Sequence, residues 1–403
     1  MAAVRSGEPA GATAGARATY AAFIWSGFAF ASWASRIPAV RDRLRLDSGE
    51  LGLVLLAIAA GSLIALPLSG PIVTRFGSRR TVATLALLDG VALTTVAVGY
   101  RLSVVPVAVG LFGFGFAQGG WDVAMNVQGA QVERRLGRPI MPRFHAGFSV
   151  GTVAGALSGA AMVAAGVGVT VHLLVVAALV VAVVPVAVRA FLPDAAGADD
   201  AASGGPQRGA FTAWREPRTL LIGLLVLVFA FAEGTGNDWT GIALIDGYRL
   251  PPAVGTLGLA AFLAAMTAGR WVGPGLLLRW GRVRTLRAMT AVAVLGVVLV
   301  VGRWSVPLAF VGLALWGIGL SLGFPLGMSA GADQPAMAAS RVSVISSIGY
   351  CAFLVGPPLI GLLARQVGVV PAMTSGAVAL TAVALITPVV RPLPVQDTDR
   401  LSA

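Results

Sequence analysis

The stretch VTVHLLVVAALVVAVVPVAVRAFL, residues 169 to 192, carries no formal charge before Arg189 and decides the fold class. About 20 apolar residues in a row span a bilayer's hydrocarbon core at the rise of an α-helix. Hydrocarbon offers no hydrogen-bond partners, so a segment inside it must be a helix that satisfies its own backbone. Stretches of this kind recur along the whole chain, which speaks against a signal peptide or a lone anchor before a soluble domain. The alternating strands of about ten residues that build a membrane β-barrel are absent from the sequence.

Composition agrees. The 403 residues are 57% hydrophobic and 11% charged, with a mean hydropathy of +0.85, more apolar surface than a soluble domain of this length can hide. All 29 basic residues are arginine, and the formal net charge is +12. The arginines stand singly or in small clusters between apolar runs, so they read as topology signals and no nucleic acid is expected as a partner. The bilayer is the expected partner. Cys351 is the one cysteine and His145 and His172 the two histidines, in separate apolar segments. No metal site and no cofactor is therefore expected.

Breaking the apolar windows at Arg, Pro and Gly clusters predicts twelve spans, near residues 18–38, 50–73, 81–100, 103–131, 144–166, 169–192, 218–245, 254–278, 285–302, 305–331, 342–365 and 370–390. With a cytoplasmic N-terminus, twenty of the 29 arginines fall on the cytoplasmic side, so the positive-inside rule places both termini there. The expected organisation is a tail at 1–17, a six-helix bundle at 18–192, a linker at 193–217, a second six-helix bundle at 218–391 and a tail at 392–403. The linker is rich in Ala, Gly, Asp and Arg and lacks apolar periodicity. The halves repeat one another. Trp33 and Gly52 match Trp239 and Gly258, Arg75-Phe76-Gly77 matches Arg279-Trp280-Gly281, Gly113 and Gly115 match Gly317 and Gly319, and Arg143 and Gly151 match Arg341 and Gly349. Four anchors in the same order indicate a duplicated unit.

The run Gly70-Pro-Ile-Val-Thr-Arg-Phe-Gly-Ser-Arg-Arg80 resembles the loop signature of the major facilitator superfamily. The resemblance covers nearly the whole chain. It implies an all-α membrane fold of two pseudo-symmetric six-helix bundles and a cytoplasmic gate built on Gly70, Arg75, Gly77, Arg79 and Arg80, with Arg279 and Gly281 in the second copy. Thr74 stands where the family has Asp, and Pro274 and Leu278 replace the second copy's Gly and Asp. Helix 4, with Gly119-Gly-Trp-Asp-Val-Ala-Met-Asn126, is similar to that of the fucose permease group, where the acid takes part in proton coupling. That likeness puts Asp122 in the acid's place and Asn126 in the Asn's. The first helix departs from the group: Ala34 and Arg36 precede Pro38 where fucose permeases carry an Asp.

Charges at membrane depth cost about 2.5 to 3.5 kcal/mol even on insertion scales, so each is a functional candidate. Gln118, Asp122 and Asn126 recur every four residues and share one face of helix 4. A carboxyl there can take up and release a proton as its surroundings alternate between wet and dry, the alternative being a packing hydrogen bond between helices. Glu233 lies near the midplane of helix 7 with Asn237 following on its side, and is the second coupling or binding acid; its alternative is an ion pair with Arg270 of helix 8. Trp33 and Trp239 can stack on a solute or anchor at the interface. Arg143 and His145 open helix 5 as gate residues, with Arg341 as the repeat of Arg143. A membrane enzyme needs a clustered nucleophile, metal or catalytic dyad, and the sequence offers none. The residues and the resemblance together imply a monomeric, proton-coupled secondary transporter of a bacterial inner membrane. Uptake of a small polar or sugar-like solute is favoured over efflux of a drug or metabolite by proton antiport.

Overall fold

The computed structural model describes residues 10–137, 140–193 and 210–393. Both chain ends and most of the expected linker, with Arg138 and Arg208, lie outside the described residues. Those described are helical throughout, without a strand among them. The elements used below are α1 (Ala10–Ala34), α2 (Ile37–Leu44), α3 (Ser48–Phe76), α4 (Ser78–Gly99), α5 (Val104–Leu136), α6 (Met141–Ala164), α7 (Val169–Ala187), α8 (Pro217–Ile242), α9 (Pro252–Val301), α10 (Val306–Leu320), α11 (Gly323–Gly331), α12 (Pro335–Val367) and α13 (Thr374–Ala384).

Local chemistry sets the ends of these helices. The Asp47 carboxylate accepts from the Glu50 amide at 2.9 Å while the Glu50 carboxylate accepts from the Asp47 amide, a reciprocal cap that starts α3. Gly77 ends it with φ 81 and ψ 155. Its repeat partner Gly281 has φ 72 and ψ 170 inside α9, so the paired Arg-aromatic-Gly triplets make the same left-handed break, which only glycine adopts without strain.

Nine helices among the described residues are long and apolar enough to cross a membrane, against twelve expected spans. The difference has three sources. α1 carries Ser, Thr, Arg and small residues that lower its apolar content, the two spans expected at 254–278 and 285–302 run together as α9 across the Gly281 break, and the last is a short apolar helix over Val369–Ala384 followed by a tight turn at Thr387–Val390. The short α2 was not anticipated. The outer surface bears exposed Leu53, Val91, Val109, Val171, Val311 and Leu362, as a lipid-facing surface does.

Within 10–192, α3 packs on α5, α1 on α6, and α4 on α5 and α7; within 217–390, α9 packs on α10 and α8 on α12. Two seams, α3 against α12 and α6 against α9, join these groups. Lipid supplies no hydrophobic drive between helices, so close backbone contact through small residues must hold them. At the α1 and α6 contact, a Cβ on Gly151 would overlap the Ile24 carbonyl and one on Gly27 the Phe148 carbonyl. Gly151→Ala is therefore expected to destabilise the protein by about 1–3 kcal/mol, whereas Gly70→Ala, which faces open space, should not. Melting curves of both variants in detergent check this, and equal melting would refute the close contact.

Candidate functional site

The two ends of the molecule differ. One carries the start of α1, where Gly15 lies against Leu192, and the start of α8, where Arg218 donates to the Val389 and Arg391 carbonyls. At the opposite end Arg41 of α2 forks onto the carboxylate of Asp246, beyond α8, with Nη2 to Oδ1 at 3.0 Å, and also reaches Asp42. Arg365 of α12 adds a 3.4 Å pair with Asp47. These charges line an open cleft and tie the two helix groups together.

Between the ends lies a cavity of about 240 Å³ bounded by α1, α3, α5, α6, α8 and α12. Leu55, Ile58, Leu66 and Phe148 are among its apolar walls, and Gln118, Asp122, Asn237, Asp238 and Tyr350 among its polar lining. The Gln118 amide is held at both ends. Its oxygen accepts from the Ser26 hydroxyl at 2.7 Å, and its nitrogen donates to Asp89 of α4 at 2.8 Å. Asp89 is fully buried, and its second oxygen has no partner among the described residues. Asn126, one turn beyond Asp122, donates to the Asp122 backbone carbonyl at 2.8 Å and to its carboxylate at 3.2 Å. It steadies the acid rather than lining the cavity.

Helix 7 of the sequence, now α8, divides its polar residues. Glu233 turns to Arg270, 3.4 Å away, and Arg270 also donates to the Ser149 hydroxyl of α6 at 3.1 Å. The ion pair allowed for in the sequence is thus formed, and it bridges α8, α9 and α6. Gly234, Asn237 and Asp238 face the cavity instead. Hydropathy and spacing did not single out Asp238; five residues past Glu233 it stands about 140° round the helix, on the face that Gly234 begins. A second acid at membrane depth was the available signal. Trp33 and Trp239 are buried in helix packing, line neither the cavity nor the surface, and leave their indole nitrogens without a partner among the described residues.

At the end where α1 and α8 begin, Arg75, Arg79, Arg80, Arg143, Arg279 and His145 are exposed. Arg75 stacks 5.3 Å from the Phe76 ring, and His145 meets Phe23 edge-on at 5.1 Å. The charge network of the second helix group centres on a residue that the motif did not reveal. Asp333 accepts from Arg282 at 2.6 Å and from Arg218 at 3.0 Å. Arg341 forks onto Glu216 at 2.6 and 3.0 Å. Glu133, in the first group, accepts the Ile140 and Met141 amides instead.

The model of the Major Facilitator Superfamily matches residues 19–351. An uncharacterised transporter, y4wD, of Sinorhizobium fredii is 30% identical over 353 residues, 87% of this chain and 91% of that protein. An uncharacterised transporter of the superfamily type from Yersinia pestis is 32% identical over 350 residues, 86% and 88%. Among solved structures, the nucleoside transporter NupG aligns with a TM-score of 0.72 at 14% identity, covering 93% of this chain and 98% of that one. The fucose:proton symporter FucP of E. coli aligns at 0.63 and 13%, covering 94% and 98%. The fold is thus that of multi-pass membrane transporters, not of an enzyme. The chain belongs to the major facilitator superfamily.

The Arg341 fork holds the Glu216 carboxyl below the usual carboxylate range. A carboxyl lowered in the folded state stabilises it above the unfolded value of about 4.3 and loses that contribution as pH falls through the folded value. Glu216→Gln is accordingly expected to melt below the wild type at neutral pH, with the gap closing under acid. A pH-independent gap in the melting series would rule the ion pair out as its source.

Proposed function

We propose that this chain is a proton-coupled secondary transporter of a small solute. In this reading two homologous six-helix halves, twelve crossings in all, rock about the central cavity, with both termini in the cytoplasm of a bacterial inner membrane and the chain acting as a monomer. The observation that carries the proposal is the cavity itself, where Gln118 and Asp122 from one helix group meet Asn237 from the other among apolar walls. A small, mostly apolar space with a few convergent polar groups is the form a solute site takes. Asp122 is the coupling acid: it lines the cavity directly, and the Asn126 amide beside it orients its carboxylate. Glu233 is the second, since protonation would release its hold on Arg270 and with it the Ser149 contact between helix groups. The exposed arginines at the end where α1 and α8 begin, with Gly70 in the last turns of α3 and Gly77 and Gly281 at the helix breaks, form the inner gate. Uptake of a small polar solute is the favoured direction, in keeping with the fold shared with a fucose:proton symporter.

Binding stabilises a folded protein by mass action, so a thermal-shift screen of sugars, nucleosides, amines and organic acids identifies the solute. In proteoliposomes with an inward proton gradient the wild type is expected to concentrate that solute inside; expulsion would indicate antiport. Asp122→Asn is expected to abolish gradient-driven accumulation while sparing solute exchange. Accumulation at the wild-type level in this variant removes Asp122 from the coupling.

A further inference from the structure

Asp122 on α5 and Asp238 on α8 are the charged members of the cavity lining, and no Arg, Lys or His is among them. Arg270, the intramembrane arginine of α9, is turned to Glu233 and Ser149. Asp238 makes no hydrogen bond or ion pair among the described residues. Asn237, only 8% exposed, leaves its side-chain oxygen without a partner among the described residues. The Gln118 oxygen is already taken by Ser26, and the Ser62 hydroxyl is spent on the Gly115 carbonyl. The lining thus offers more acceptors than donors, and it holds two acids with no basic side chain beside them among the described residues.

Phe30, Phe148, Tyr350 and Phe353 add aromatic surface to the same cavity, with Tyr350 and Phe353 6.2 Å apart between ring centres. Ring faces attract cations, and more strongly where water is excluded. An anion in this space meets two carboxylates at low dielectric, and Coulomb repulsion excludes it. A neutral polyol satisfies the acceptors but requires both carboxyls to take up protons first, since a carboxylate left unpaired away from water is costly. A protonated amine answers all three features.

We propose that the solute is a small organic cation, a protonated amine bearing further hydrogen-bond donors, whose ammonium pairs with Asp238 of one helix group while Asp122 of the other carries the coupling proton. This rests on the transport reading above and narrows it to a chemical class. Two acids also separate the tasks: one pairs with the ammonium while the other is free to carry the coupling proton.

The test uses the full-length purified protein and matched probes that differ in charge, beginning with serinol, glycerol and glycerate and extending to longer amines, polyols and carboxylates of the same skeletons. Thermal shift and titration calorimetry at neutral pH are expected to place the stabilising ligands in the amine series. Asp238→Asn should weaken the best amine by about thirtyfold or more, the loss typical when one partner of a buried charge pair is removed. Should that variant melt early, protection of Asp238 from a carbodiimide label by the amine serves as the second measurement. Tightest binding by a carboxylate or a neutral polyol, no amine binding at millimolar concentration, or Asp238→Asn binding amines as the wild type does would each overturn the proposal. A carboxylate that binds and crosses proteoliposomes overturns this charge assignment alone; an amine that binds and is never moved overturns the transport reading instead.

Discussion

A charge or an unmade hydrogen bond inside hydrocarbon has no solvent to fall back on. Many polar features of the described residues answer to that constraint. Serine and threonine hydroxyls along the helices bond back to carbonyls three or four residues earlier, as Thr19, Ser69, Thr235 and Thr290 do. Of the polar side chains left over, those at contacts between the helix groups gather in three places: the charged cleft around Arg41, the Glu233, Arg270 and Ser149 bridge, and the cavity with the buried Asp89 behind it. Since these are the places where the helix groups meet, the residues hardest to keep in lipid are also the ones that define how the groups fit together.

The apolar spans and the superfamily were legible because they depend on composition averaged over about 20 residues and on a short loop motif. Gly77 and Gly281 were legible as a repeat, and their shared left-handed geometry is what the repeated triplet encodes. Rotational detail was not. Trp33 and Trp239 look like solute or interface residues because tryptophan is common in both roles, yet each is turned into helix packing. A rotation of 100° per residue separates a cavity face from a packed face within one or two positions, and hydropathy cannot resolve that. Asp238 was lost to the same blindness: Glu233 sits nearer the midplane by count, whereas Asp238 reaches the cavity.

The proposed gate shows a second kind of limit. Its motif predicts arginines on both halves, and arginines are there. Their partners come from elsewhere in the chain: Asp333 lies about 50 residues beyond Arg282, and Glu216 about 125 before Arg341. Such partners are set by tertiary packing, which local spacing does not record. The two helix groups also differ. Asp333 gathers two arginines, whereas Glu133 caps backbone amides, so the two groups differ at their charged surface while sharing the glycine break.

The amide of Gln118, pinned between Ser26 and Asp89, has a consequence for recognition. A free glutamine gives up about 0.5–1.5 kcal/mol of side-chain entropy when a ligand immobilises it. Here three helices have already fixed its orientation, so a solute meeting it loses little to ordering. In the proposed solute site the same fixity makes for selectivity: Gln118 cannot turn to present its oxygen without breaking two bonds, so it would reject a solute of the wrong polarity instead of adapting to it.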